Sequence, residues 1–228
     1  MSSRVITLSA SVAVLAVAFV MRRPEAAKAP ASNIELHAVD TLDLMINQRS
    51  KGDPGAAIAV FEMSDFQCPF CRQHAMETFP ELDRLYIQTG KVRWTFVNFP
   101  IPQLHPNAIA AAEFAMCAAK LEKFWPVHDL IFKYQNDWKS LPDPGPYLLT
   151  LADSAGIERR DILACLTRGE TRELVRTEAE EVARVGIQST PTFVIEGKLL
   201  RGAAKAEVFR GILDSIYAAK LAARGNPE

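Results

Sequence analysis

The chain has little cysteine, almost no charge imbalance and only one long apolar run, and each scarcity removes a class of protein. Four cysteines in 228 residues are too few for a disulfide-stapled scaffold, yet their even number suits an oxidising compartment and leaves the pairing open. Lys and Arg number 26 against 27 for Asp and Glu, a net charge of -1, and the two signs are mixed along the sequence. There is no basic block with which to hold nucleic acid. The single C-x-x-C has no second C-x-x-C and no H-x-x-x-H pair to complete four zinc ligands, so no metal is expected. No cofactor is expected either. From about Pro106 to Val185 there is no convincing strand, only Ala-rich and amphipathic segments broken at Pro126, at Leu141 to Pro146 and at Gly156.

What is present is Cys68-Pro69-Phe70-Cys71, placed where an apolar strand stops and a helix starts. Residues from about Ala57 to Met63 form a strand-length apolar run, and the spacing from Pro69 to Gln88 predicts a helix that Gly90 stops. Cys68 is then the helix N-cap, with Pro69 at the first position, where a missing N–H costs nothing. The free N–H groups of the first turn and the positive end of the helix dipole favour the Cys68 thiolate, the nucleophile of disulfide exchange. Cys71, one turn further in, is placed to resolve a mixed disulfide. A purely structural disulfide is disfavoured by the strand, proline and helix together. Glu62 is the one acid in the apolar strand, and an acid there is expensive without a partner or a task.

A second strand is predicted from Val92 to Phe99, stopped by Pro100 and Pro102. Thr192 to Ile195 and Leu199 to Leu200 read as a hairpin around Glu196-Gly197-Lys198. The last helix shows Val208, Phe209, Ile212, Leu213, Ile216 and Tyr217 as one face expected to pack on the sheet, with a frayed tail over 221–228. His105 and His128 read as surface or capping groups, and Phe124, Trp125, Phe132 and Trp138 as core.

The segment from Ser64 to Cys71, the segment from Gly186 to Val194 around Thr190-Pro191, and Lys123 to Phe132 between them resemble the active site, the cis-proline loop and the helical insertion of the DsbA-like thiol-disulfide oxidoreductases. The resemblance implies an α/β thioredoxin-like fold over about 56–220, with a mostly helical insertion over about 104–185 between the second and third core strands. It implies a cis bond before Pro191, with the Thr190 backbone free to pair with an extended substrate. It also implies that Glu62 passes protons to or from Cys71 through water. Cys117 and Cys165 resemble a structural disulfide of this branch; two buried free thiols are the alternative.

Residues 5–21 form a mostly apolar stretch between Arg4 and Arg22-Arg23, so 1–23 reads as a signal peptide or a membrane anchor. Residues 24–55 read as an Ala- and Pro-rich linker with an N-terminal extension, in which Leu42, Leu44, Met45 and Ile46 form the apolar side of a short element. The resemblance and the spare cysteine pair place the domain outside the cytoplasm. They imply exported protein substrates and reoxidation by a membrane-bound, quinone-linked thiol oxidase. Pro69-Phe70 lacks the Pro-His of the strongest oxidants and Thr190 replaces their valine, so a weaker disulfide donor is expected. The alternatives are an extracytoplasmic reductase or isomerase and a redox-inactive peptide-binding module.

Overall fold

In a computed structural model, which describes residues 45–224, the two apolar runs become the central strands of a five-stranded sheet. Residues 5–21, most of the segment after them including Leu42 and Leu44, and residues 225–228 lie outside the described residues. The strands are β1 (Ser50–Lys51), β2 (Ile58–Ser64), β3 (Val92–Asn98), β4 (Thr192–Ile195) and β5 (Lys198–Arg201), in the order β1-β3-β2-β4-β5. β2 and β3 run parallel, from Ile58 opposite Val92 to Ser64 opposite Asn98. The other three pairings are antiparallel. The sheet starts before the Ala56 boundary expected from sequence, because β1 has only two residues and leaves no periodic signal.

The parallel pair needs a crossover, and a helical run over residues 69–87, α1, supplies it. Within α1, α-helical Pro69–Gln73 and Phe79–Leu82 alternate with π-helical His74–Thr78 and Asp83–Ile87. Pro80 lacks the N–H that would bond the carbonyl of Met76, so a regular α-helix cannot pass through that point. Alternation along β2 sends Ile58, Val60 and Glu62 to one face. There the two apolar residues join Trp94, Phe193, Phe79, Leu82, Phe209 and Leu213, all buried.

Residues 108–184 carry no strand. They form α2 (Ala108–Lys120), α3 (Phe124–Lys133), α4 (Gln135–Trp138), α5 (Gly145–Ser154), α6 (Arg159–Arg168) and α7 (Arg172–Arg184). Phe124, Phe132 and Trp138 are buried in this unit's core, and half-buried Trp125 stacks on Phe79 at 5.6 Å. Cys117 of α2 and Cys165 of α6 are joined by a disulfide that spans 48 positions. On the chain-entropy model, closing a loop of that length stabilises the fold by about 4 kcal/mol. Replacing both cysteines by Ala should therefore lower the unfolding free energy of the full-length protein by about 2–4 kcal/mol in urea titrations. Unreduced, denatured protein with an oxidised C-x-x-C should label no thiols; two labelled cysteines would exclude the bridge.

Two details depart from the sequence reading. The hairpin turn is only Glu196-Gly197, with φ of 47° and 77°, and Lys198 belongs to β5; two consecutive left-handed residues match the twist of the flanking strands. α8 (Ala206–Arg224) extends past Leu221 and buries Phe209 and Leu213, but Val208 is 47% exposed. One residue advances the helix by about 100°, so Val208 turns off the buried stripe into a groove with Leu199 and Ile212.

Candidate active site

Cys68 ends the loop after β2 in an extended conformation, φ -68° and ψ 125°, and Pro69 opens α1 behind it. Its sulfur lies 3.5 Å from the Thr190 carbonyl oxygen, and the residue is only 4% exposed. The Cys68 thiol is pulled down from 9.0 to about 6. The largest cause is a hydrogen bond from Cys71; burial opposes it, and Thr190 and the backbone N–H groups of Cys71 and Phe70 add to it. Cys71 is fully buried and moves the other way: burial pushes its thiol well up, and the hydrogen bond and charge of Cys68 push it further. The Ser64 side chain and the backbone N–H of Asp65, 3.4 Å from Cys71 Sγ, only partly offset this. One turn of helix thus holds one sulfur that ionises easily and one that resists ionising.

Buried polar groups fix the loop that presents the pair. Asp65 accepts from the N–H of Gln67 at 2.8 Å, from the N–H of Ile101 at 2.9 Å and faces His105 Nδ1 at 2.8 Å. Gln135 of α4 donates to the carbonyls of Phe66 at 2.8 Å and Cys68 at 3.0 Å. Gln67 bridges onward, donating to the Lys139 carbonyl and accepting from the N–H of Asn107. The insertion therefore bonds directly to the cysteine loop. The Thr190-Pro191 bond is cis, and the N–H of Gly202 in the turn after β5 donates to the Pro191 carbonyl at 2.8 Å. Phe70, between the cysteines, is 60% exposed and offers an apolar surface beside Cys68.

Glu62 lies in the buried layer beneath α1. Its Oε2 accepts from Trp94 Nε1 at 2.9 Å and is 3.8 Å from His74 Nε2. His105 is a loop tie through Asp65, and His128 is buried among Phe66, Phe96, Phe124 and Phe132. Sequence reasoning passed over His74, Asp65 and Gln135. Only His74 carried a local signal, its i+3 spacing from Cys71 on the predicted helix. Among the described residues no cluster of His, Cys, Asp and Glu could hold a metal ion, and no helix is long and apolar enough to cross a membrane.

A family model described as Thioredoxin matches residues 45–215. A probable disulfide bond formation protein D of Bacillus anthracis is 29% identical over 67% of this chain and 71% of its own length. An Na(+)/H(+) antiporter NhaA 3 of Salinispora tropica is 29% identical over 82% of this chain. The chain spans only 28% of that antiporter's length. Among solved structures, Wolbachia pipientis alpha-DsbA1 superposes with a TM-score of 0.69 at 21% identity, covering 76% of this chain and 92% of that one. Oxidised BdbD of Bacillus subtilis gives 0.68 at 23%, covering 76% and 95%.

Proposed function

Since the chain belongs to the thioredoxin family, we propose that it is a DsbA-like, extracytoplasmic thiol-disulfide oxidoreductase that donates its Cys68–Cys71 disulfide to exported proteins. A client thiolate attacks Cys68 Sγ, so that a client–Cys68 disulfide forms and Cys71 leaves as a thiolate that takes up a proton. The client's second thiolate then attacks its own sulfur in the mixed disulfide, forming the client disulfide and releasing Cys68 as a thiolate. A membrane-bound, quinone-linked thiol oxidase would take the two electrons back. Thr190 and Pro191 border the cysteine and would receive an extended client segment through backbone, Phe70 would touch its side chains, and Glu62 would serve Cys71 with protons.

The observation that carries this reading is the asymmetry of the two sulfurs. A thiolate with a low pKa is a good leaving group, so the last step favours release of the oxidised client and the reduced enzyme. Lowering one thiol from 9.0 to about 6 stabilises the reduced form at pH 7 by about 1.4 kcal/mol, which is about 30 mV for a two-electron couple. That is a modest lift. A thiol at about 6 lies between those of thioredoxin, about 7, and DsbA, about 3.5, which supports a potential between theirs, near -270 and -120 mV. The apolar Phe70 favours a second reading, an exported reductase or isomerase for dedicated clients.

The deciding experiment is the equilibrium reduction potential of the full-length protein in glutathione buffers. A value between about -230 and about -180 mV is expected for a weak donor. A value of about -250 mV or lower would make the protein an exported reductant. The potential should also fall by about 59 mV per pH unit below pH 6, where reduction takes up two protons, and by about 30 mV per unit above it. The raised Cys71 thiol keeps the second slope through the alkaline range.

A further inference from the structure

Three residues beyond Cys71 is a histidine for which the exchange steps above have no use. His74 is fully buried, and neither of its ring nitrogens has a hydrogen-bond partner. Its Nε2 is 3.8 Å from Oε2 of Glu62, whose own Oε1 is also unpartnered. The buried Ser64 hydroxyl, on the same face of β2 as Glu62, lacks a partner of ordinary geometry too, although it faces Cys71 closely enough to pull that thiol down. Four such atoms gathered between β2 and α1 are not an accident of packing, since buried polar atoms are almost always satisfied. The site has polar partners enough to hold an ordered water.

The walls are apolar. The His74 ring stacks on Trp94 at 5.6 Å and lies 4.6 Å from Phe193 and 5.4 Å from Phe209, measured between ring centres. The titratable groups around it are Glu62 from β2, Cys71 from α1 itself and His128 from α3; β3, β4 and α8 present only the uncharged rings. Burial drives the His74 imidazole toward its neutral form, Glu62 draws it back and His128 opposes that. A helical side chain covers the turn on the N-terminal side of its own Cα, which for His74 is the turn that carries Cys71.

We infer that His74 is a positioning residue for exchange: together with Glu62 it holds the one proton that Cys71 takes up as it leaves the disulfide and gives back when the disulfide re-forms. The inference rests on the exchange reading above and adds a residue to it. When the client thiolate breaks the Cys68–Cys71 bond, the electron pair goes to Cys71 Sγ. The pair's proton passes through the Ser64 side or a bridging water to that sulfur. His74 and Glu62 are then one proton short, and solvent refills them before the next turnover. Without the proton, a thiolate and the Glu62 carboxylate would stand together in an apolar layer. His74 thus offers the leaving sulfur a proton from within the buried layer.

The test uses full-length protein in the disulfide form, mixed in stopped flow with a peptide bearing two cysteines from pH 5 to pH 9. After correction for the peptide's own thiolate fraction, the wild-type rate should fall as the pH rises from 5 to 8, because burial holds the His74 imidazole below its ordinary range and the pair loses its proton there. His74→Phe should slow the first step about tenfold at pH 5, less at each higher pH and not at all at pH 8. Glu62→Gln should behave alike, and the double variant should be no slower than either. His74→Gln, which keeps the polarity but cannot titrate, should fail to rescue, while the pH midpoint of Cys68 alkylation stays near 6 in every variant. A wild-type profile for His74→Gln would mean that the histidine only fills space, and would overturn the inference. So would a wild-type pH profile for a folded His74→Phe. A wild-type chain that oxidises the peptide at no pH would remove the exchange reading and this one with it, whereas normal wild-type exchange with unaffected variants removes this one alone.

Discussion

Cys68→Ala should abolish disulfide exchange in the full-length protein, a loss of at least about 10⁴-fold, because no other thiol among the described residues is both ionised and within reach of the surface. Cys117 and Cys165 are paired, and Cys71 is fully buried with its thiol raised. Cys71→Ala should act differently. It leaves the Cys68 thiolate but no disulfide to donate, so oxidation of reduced clients should stop, while Cys68 that attacks a client disulfide stays trapped because no Cys71 thiol can displace the client, and these client–Cys68 adducts should be visible on non-reducing gels. The pH dependence follows from the sign of the Cys68 shift. A thiol lowered to about 6 is thiolate above that pH, so iodoacetamide should label reduced protein at a constant rate above pH 7 and about tenfold more slowly per unit below pH 5. At pH 7 about 90% of Cys68 is thiolate, against about 1% for a thiol at 9.0. A lower pKa also weakens the nucleophile, by about 20-fold over three units at a Brønsted slope near 0.45, so the labelling rate should exceed that of an ordinary thiol only about fourfold. A midpoint above pH 8 would remove the asymmetry on which the donor reading stands. The same shift bears on stability. The folded value lies below the unfolded one, so the contribution of Cys68 to reduced-state stability is present in full above about pH 9 and is lost as the pH falls through 6.

How much of this was written locally in the sequence differs from residue to residue. The Cys68-Pro69 helix start was legible because an N-cap and a first-turn proline act over a few residues, and β2 to β5 and α1 lie within one or two positions of the expected bounds. Glu62 was conspicuous because an acid in an apolar strand has no local excuse. Its neighbours were not. His74 sits in the polar run Arg72-Gln73-His74, where nothing marks it as buried, and only the packing of α1 on β2 brings its ring to Glu62. Asp65 looks like an ordinary loop acid until its partners at Ile101 and His105 are known. Gln135 is 67 positions away from the Cys68 carbonyl that it holds. β1 is too short to show a period, and the π-helical turns of α1 follow from Pro80 only once the helix is known to continue past it. What the chain hid was thus mainly the set of long-range polar contacts, whose partners are fixed by the sheet register and by how the insertion docks.

One contact of that kind, spanning 129 positions, carries the second large effect. Arg49 is fully buried just before β1, where its guanidinium donates to the Phe96 carbonyl at 3.0 Å and to both oxygens of Glu178 on α7, at 2.9 and 2.5 Å. Glu178 also accepts from the backbone and side chain of Asn98, at 3.1 and 2.8 Å. Three parts of the chain therefore meet at one ion pair: the segment before β1, the end of β3, and the helix that leads into the Thr190-Pro191 loop. Arg49→Met removes the cation and leaves the Glu178 carboxylate in a part-buried site with only the Asn98 donors. Breaking a buried pair from one side costs about 3–5 kcal/mol, far more than the pair contributes over an apolar replacement of both partners. The expected result is a loss of about 3–5 kcal/mol in urea unfolding and a fall of about 10 °C or more in the melting temperature. Arg49→Met combined with Glu178→Leu should recover most of that loss, since the stranded charge goes with its partner. Recovery is the discriminating outcome. If the double variant is as unstable as Arg49→Met, the cost comes from lost packing around the long Arg49 side chain. If Arg49→Met costs less than about 1 kcal/mol, the clamp does not hold α7 to the sheet. The consequence for the site runs through α7, which ends at Arg184, six residues before Thr190. An Arg49→Met protein that stays folded at 25 °C should therefore show faster amide exchange over residues 186–190 than the wild type, with the Cys68 alkylation midpoint unmoved.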